Sequence, residues 1–81
     1  MEVGTRIRTR TGAHILIAVF GKYDYKAVIV DSGAGSLDRY VVCLYAQGNE
    51  GFTAPYYTDS LIDAALEYSA LTEVASKNYG T

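Results

Sequence analysis

The chain has 81 residues, one domain's worth, and 49% of them are hydrophobic, a content that disfavours disorder. A single cysteine excludes an intramolecular disulfide and a cysteine-based zinc site. The net charge of −2 is uneven: residues 1–40 carry six cations against four anions, and residues 41–81 one cation against five.

Residues 5–11 alternate Thr or Ile with Arg, the period-two pattern of a half-exposed first strand. Gly12-Ala13 breaks the chain, and residues 14–20 follow as a strand apolar on both faces. Simple alternation sets Ile15, Ile17 and Val19 against Leu16, Ala18 and Phe20, a pattern that belongs inside a sheet. Gly21-Lys22-Tyr23-Asp24 reads as a turn and residues 25–30 as the third strand. Residues 31–38 hold two Gly, two Ser and two Asp and read as a loop; residues 39–46 form the fourth strand. After a Gly-rich turn, residues 52–57 are a candidate fifth strand that Pro55 confines to an edge.

A helix begins near Thr58-Asp59-Ser60, with Thr58 or Asp59 as its cap and Asp63 in its first turn. Helical spacing gathers Leu61, Ala64, Ala65, Tyr68, Leu71, Thr72 and Ala75 on one side, with Asp63, Glu67 and Glu73 opposite. Leu61, Ala65, Tyr68 and Leu71 are expected to pack on Ile15, Ile17, Val28 and Val41 or Val42. Gly80 is the expected terminator. The predicted fold is α+β: a single small domain of four to five antiparallel strands packed by one C-terminal α-helix.

Candidate chemistry is sparse. Ala27-Val28-Ile29-Val30-Asp31-Ser32-Gly33-Ala34 resembles the Asp-Thr/Ser-Gly-Ala motif of retroviral-type aspartic peptidases. That resemblance implies a dimeric peptidase with Asp31 as its catalytic acid and Ser32-Gly33 holding the loop. The family's later apolar-apolar-Gly segment is missing from residues 39–81, and Asp-Ser-Gly is also ordinary turn composition. Gly33-Ala34-Gly35-Ser36 lacks the Lys and following helix of a phosphate loop. His14 is the only histidine, so a Ser-His or Cys-His pair would have to use it. Cys43 lies in an apolar run and reads as a small buried hydrophobe. No metal or cofactor is called for, and the expectation is a protein that is not an enzyme.

Two surfaces remain. Arg6, Arg8 and Arg10 line one face of the first strand, suiting a phosphate backbone with Tyr23, Tyr25 or Tyr40 as stacking platforms, or serving as edge protection. The helix's acidic side is interrupted by Leu66 and Val74, and eight tyrosines supply large contact area at low entropy cost. The favoured reading is a small protein-binding regulator or inhibitor acting through an acidic, Tyr-rich surface: Asp63, Leu66, Glu67, Glu73 and Val74, with Tyr56 or Tyr57. The expected partner is a basic, nucleic-acid-handling protein. Direct nucleic-acid binding through the Arg strand is the first alternative and the peptidase the second. Residues 1–4, or a second copy in a homodimer, are alternative covers for Leu66 and Val74. In size and acidic composition, though by no motif, the chain resembles small phage-encoded antagonists of bacterial defence, anti-CRISPR proteins among them. The resemblance implies an acidic surface occupying sites that nucleases and surveillance complexes keep for DNA. The start lacks a cationic segment followed by an apolar one, and the longest apolar run is too short for a bilayer. No membrane partner and a cytoplasmic location are therefore the expectations.

Overall fold

The computed structural model describes residues 1–21 and 24–78. Five strands and one helix follow in chain order: β1 (Arg6–Thr9), β2 (Gly12–Phe20), β3 (Lys26–Asp31), β4 (Tyr40–Tyr45), β5 (Thr53–Thr58) and α1 (Leu61–Asn78). Each strand pairs antiparallel with the next, so the sheet order is β1-β2-β3-β4-β5 with no crossover. The predicted α+β architecture is the one the chain adopts. The fifth strand forms at the sheet edge, where the missing N–H of Pro55 is tolerated. Next to that proline Ala54 takes a φ of 52°, and the register shifts between Val42 and Leu44. This bulge bends β5 and blunts an otherwise open edge.

The sheet is rolled. Ile7 of β1 joins one buried cluster with Val41, Cys43 and Tyr45 of β4, although three strand spacings would separate them by about 14 Å in a flat sheet. The Arg10 amide donates to the Glu50 carbonyl at 3.1 Å, tying the end of β1 to the β4–β5 connection. The concave side encloses Leu16, Val28, Val30 and Cys43 completely, with Met1, Val19 and Phe52 packed against them. The helix lies on the convex side across β3, β4 and β5, over Ala27, Ile29, Val42 and Leu44. β3 and β4, not β2, are therefore the strands covered on both faces.

Three local expectations are corrected. The register of β2 shifts between Leu16 and Ala18, a bulge at Ile17 that reverses the alternation. Val19 consequently joins Leu16 on the concave side, while Ile17 and Ala18 both face the helix side. The helix docks through a narrower stripe than its composition suggested: Ala64 and Ala75 are buried and Tyr68 and Leu71 pack beside them. Leu61 is 52% exposed, Ala65 is exposed, and Ile15 is 38% exposed, so none is a core contact. Val28 and Val41 lie on the concave side, beyond the helix's reach. The reason is geometric: at about 100° per residue Ala64, Leu71 and Ala75 share one narrow arc, from which Ala65 is rotated by roughly a right angle. Finally, the cap is Ser60. Its Oγ accepts the Asp63 amide at 3.2 Å, and its carbonyl accepts the first helical bond, from Ala64. The Thr58 hydroxyl accepts the Ser60 amide one step earlier. Gly80, the Gly21–Asp24 turn at Lys22 and Tyr23, and Tyr79 fall wholly or partly outside the described residues.

Candidate functional site

The helix that covers the sheet also presents a second apolar stripe to solvent. Ile62 is 74% exposed, Leu66 68% and Val74 39%. On a helical wheel Ile62, Leu66 and Glu73 point away from the Ala64–Leu71–Ala75 stripe, with Asp63, Glu67 and Val74 along one flank. Asp63, Glu67 and Glu73 are all exposed. The fold thus gathers Asp63, Leu66, Glu67, Glu73 and Val74 on one accessible surface. Sequence reasoning missed Ile62 and assigned Leu61 to the core. Their wheel positions carried the signal, but the docking arc was drawn too wide.

The two adjacent tyrosines part company. Tyr56 pairs with Val42 and so lies on the helix side; Tyr57 pairs with Val41 and lies on the concave side. They are 40% and 50% exposed, and only Tyr56 shares a face with α1. Tyr57 instead lines a cleft of about 180 Å³ with Thr9, Arg10 and Phe52, smaller than the ~300–1,000 Å³ usual for ligand pockets.

The basic strand is also split. Arg6 faces Ile15, and Arg8 faces Ala13, in the β1–β2 register. Ile15 in turn pairs with Asp31, and Asp31 with Tyr40, which packs in the cluster around Ala64. Since directly paired residues share a face, Arg6 and Arg8 lie on the helix side of the sheet, at its far edge. Arg10 lies beyond the strand, at the cleft beside Gly51, so the three arginines do not form one comb. None of them has an ion-pair partner among the described residues. Tyr40, a suggested stacking platform, lies under the Arg39 guanidinium, 5.4 Å from its ring centroid.

The third feature is a polar hub at one end of the rolled sheet. His14 is 4% exposed. Its Nε2 lies 3.0 Å from the Thr9 hydroxyl and 3.4 Å from that of Thr11, and its Nδ1 lies 2.7 Å from the Ser32 hydroxyl. Phe52 meets the imidazole edge-on at 5.1 Å between centroids. Burial pushes the His14 pKa down, which favours the neutral ring. Sequence reasoning did not foresee this hub; the β1–β2 register that puts Thr9 and His14 on one side is set by the hairpin.

Ser32 and His14 are within hydrogen-bond distance, yet the far nitrogen meets hydroxyls where a nucleophilic triad has an orienting carboxylate. Asp31, the acid next to Ser32, points the other way. Its Oδ1 accepts Arg39 Nε at 2.8 Å and the Gly33 amide at 2.8 Å, and its Oδ2 accepts an Arg39 terminal nitrogen at 2.9 Å. The Arg39 hydrogen bonds, aided by the Gly33 amide, hold this carboxyl below its ordinary range against a smaller effect of burial. A carboxylate so engaged stays ionised, which argues against the proton-sharing role the peptidase motif assigns to it. The loop that follows is closed by its own bonds: the Ser32 amide to the Arg39 carbonyl, the Ser36 amide to the Gly33 carbonyl and the Ser36 hydroxyl to the Ser32 carbonyl. Cys43 is fully buried, and burial pushes its thiol up to about 12, far from nucleophilic at neutral pH. Among the described residues no three His, Cys, Asp or Glu side chains gather as a metal site, and no helix is long and apolar enough to cross a membrane. Comparison with protein-family models, curated proteins and solved structures finds no match.

Proposed function

We propose that this chain is a non-enzymatic protein-binding regulator whose working surface is the outer face of α1, assisted by Tyr56. The observation that carries the reading is the second apolar stripe on α1: Ile62 and Leu66, 74% and 68% exposed, stand among Asp63, Glu67 and Glu73. A helix serving only its own sheet needs one apolar side, and exposed aliphatics ringed by like charge are the composition of a docking face. Residues 1–4 offer no cover for it, because Met1 packs into the concave cluster and the Gly4 amide bonds the Leu16 carbonyl. The acidic rim suits a partner with a basic surface, such as a nucleic-acid-handling protein, and would act mainly on the rate of encounter.

Affinity capture from a lysate with mass spectrometry supplies a partner, and variants then decide the face. Asp63→Lys/Glu67→Lys should weaken binding most at low salt, whereas Leu66→Ser should raise the off-rate at low and high salt alike. Wild-type binding by both variants, with loss in Arg6→Ala/Arg8→Ala, would move the site to the basic strand. That strand supports the alternative reading, nucleic-acid binding, because Arg6 and Arg8 are exposed without an ion-pair partner among the described residues.

A further inference from the structure

We infer that the first occupant of the outer helix face is a second copy of this chain, in a two-fold symmetric dimer. In it the α1 of each copy rests on the bare β1–β2 shelf of the other. The inference rests on reading that helix face as a docking surface and names what docks there.

The argument starts from coverage. A helix with its side chains is about 10–12 Å across, and neighbouring strands are about 4.8 Å apart. One helix therefore cannot roof five strands. α1 sits over β3, β4 and β5. On the same side of the sheet, the register leaves Arg6 and Arg8 of β1 opposite Ile15 and Ala13 of β2, with both arginines and Ala13 exposed and Ile15 38% exposed. The molecule thus carries two unpartnered surfaces side by side on one face. One is a shelf of aliphatic residues edged by cations without an ion-pair partner among the described residues; the other is a helix ridge of Ile62 and Leu66 edged by Glu67 and Glu73.

Each surface has what the other lacks. A half-turn that brings two such faces together sets each ridge on the opposite shelf. The product is two sheets enclosing a layer of two helices, with every α1 packed inward on its own sheet and outward on the other. Contacts of this kind are reciprocal and stop at two copies. Acidic ridge meets basic shelf twice, whereas ridge against ridge would juxtapose like charges. The 18-residue helix is ~27 Å long and its outer face ~10 Å wide. Counting a shelf of equal size, each copy contributes ~540 Å², or ~1,100 Å² in all, near the lower limit for a specific interface. The expected dimer is therefore reversible, with dissociation in the micromolar range and sensitive to salt.

Sedimentation equilibrium of the full chain across the micromolar range tests this. The wild type should pass from monomer to dimer with no larger species, and dimerise more weakly at high salt. Arg6→Glu/Arg8→Glu and Glu67→Lys/Glu73→Lys should each weaken dimerisation at least ~tenfold alone. An equimolar mixture of the two should dimerise again, because each reversed ridge then meets a reversed shelf. Should either charge-reversed chain melt early, Ile62→Asp, at the most exposed of the large apolar helix residues, must give the same monomer while keeping the wild-type circular dichroism. A wild type that stays monomeric throughout, or a mixture that does not recover, overturns the dimer. Loss of a captured partner on Leu66→Ser by a chain that never dimerises would defeat this inference while leaving the helix face as the docking surface.

Discussion

Two leucines that look alike in the sequence should behave very differently when truncated. Leu16 is fully buried in the concave cluster with Ile7, Val28, Val30 and Val41. Leu16→Ala removes the transfer energy of its lost carbons and leaves a cavity that a rolled, two-sided sheet cannot close, a cost of about 3 kcal/mol. Leu61 begins α1 and is 52% exposed. Full burial of a leucine is worth ~1.5–3 kcal/mol; half of that surface stays wet here, and solvent fills the space left behind. Leu61→Ala should therefore cost below ~1 kcal/mol. For a domain of this size ~1 kcal/mol moves the melting temperature by ~4–8 °C, so the expected losses are above ~12 °C for Leu16→Ala and a few degrees for Leu61→Ala. Urea and thermal unfolding, followed by circular dichroism and tyrosine fluorescence, measure both, since the chain has no tryptophan to dominate its emission. Equal losses, or a larger loss at Leu61, would refute the placement of the helix.

Stability should fall as pH drops below about 6.5, because the unfolded His14 gains a proton there while burial keeps the folded ring neutral; denaturation series between pH 5 and pH 7 should show that slope (a range set by the ordinary histidine value), and His14→Gln should flatten it. A second loss should set in as pH falls towards the ordinary carboxylate value of 3.8, where the unfolded Asp31 gains a proton, and run on until pH has passed its lowered folded pKa; Asp31→Asn should remove it, and an unchanged acid limb would show that the Arg39 clamp is not formed. Ser60→Ala should cost about 1 kcal/mol through the lost cap, and Asp59→Ala much less, by the same melts. Cys43 should resist a thiol reagent in the native state and react on unfolding; immediate labelling would contradict its burial.

The strands and the helix were legible because period-two and 3.6-residue patterns record which side of an element is dry. Residues 5–11 with their alternating arginines, and the Pro55 that marks an edge, are direct cases. What pattern alone does not carry is the bulge at Ile17, one added residue that exchanges the faces of Val19 and Ala18. Nor does it carry the roll that brings Ile7 into the β4 cluster, since that depends on twist accumulated over several strands. The acidic helix residues with Leu66 and Val74 were foreseen as one surface because a single helix fixes their relative positions. Whether Tyr56 or Tyr57 accompanies the helix was left open by the sequence, and the β4–β5 register puts only Tyr56 on the helix side, because neighbours on a strand face opposite ways. The His14 hub was illegible for another reason: Ser32 reaches it from 18 residues away through the β2–β3 register.

The central claim, that the outer face of α1 is where this protein meets another protein, is tested most directly by site-specific photocrosslinking. A photoreactive amino acid at position 66 stands on the exposed helix stripe, and one at position 57 stands on the opposite side of the sheet with similar freedom. Irradiation of the purified chain, and of the chain in a lysate, should give adducts from position 66 and not from position 57. Adducts from position 57 with position 66 silent, or silence at both, would contradict the account.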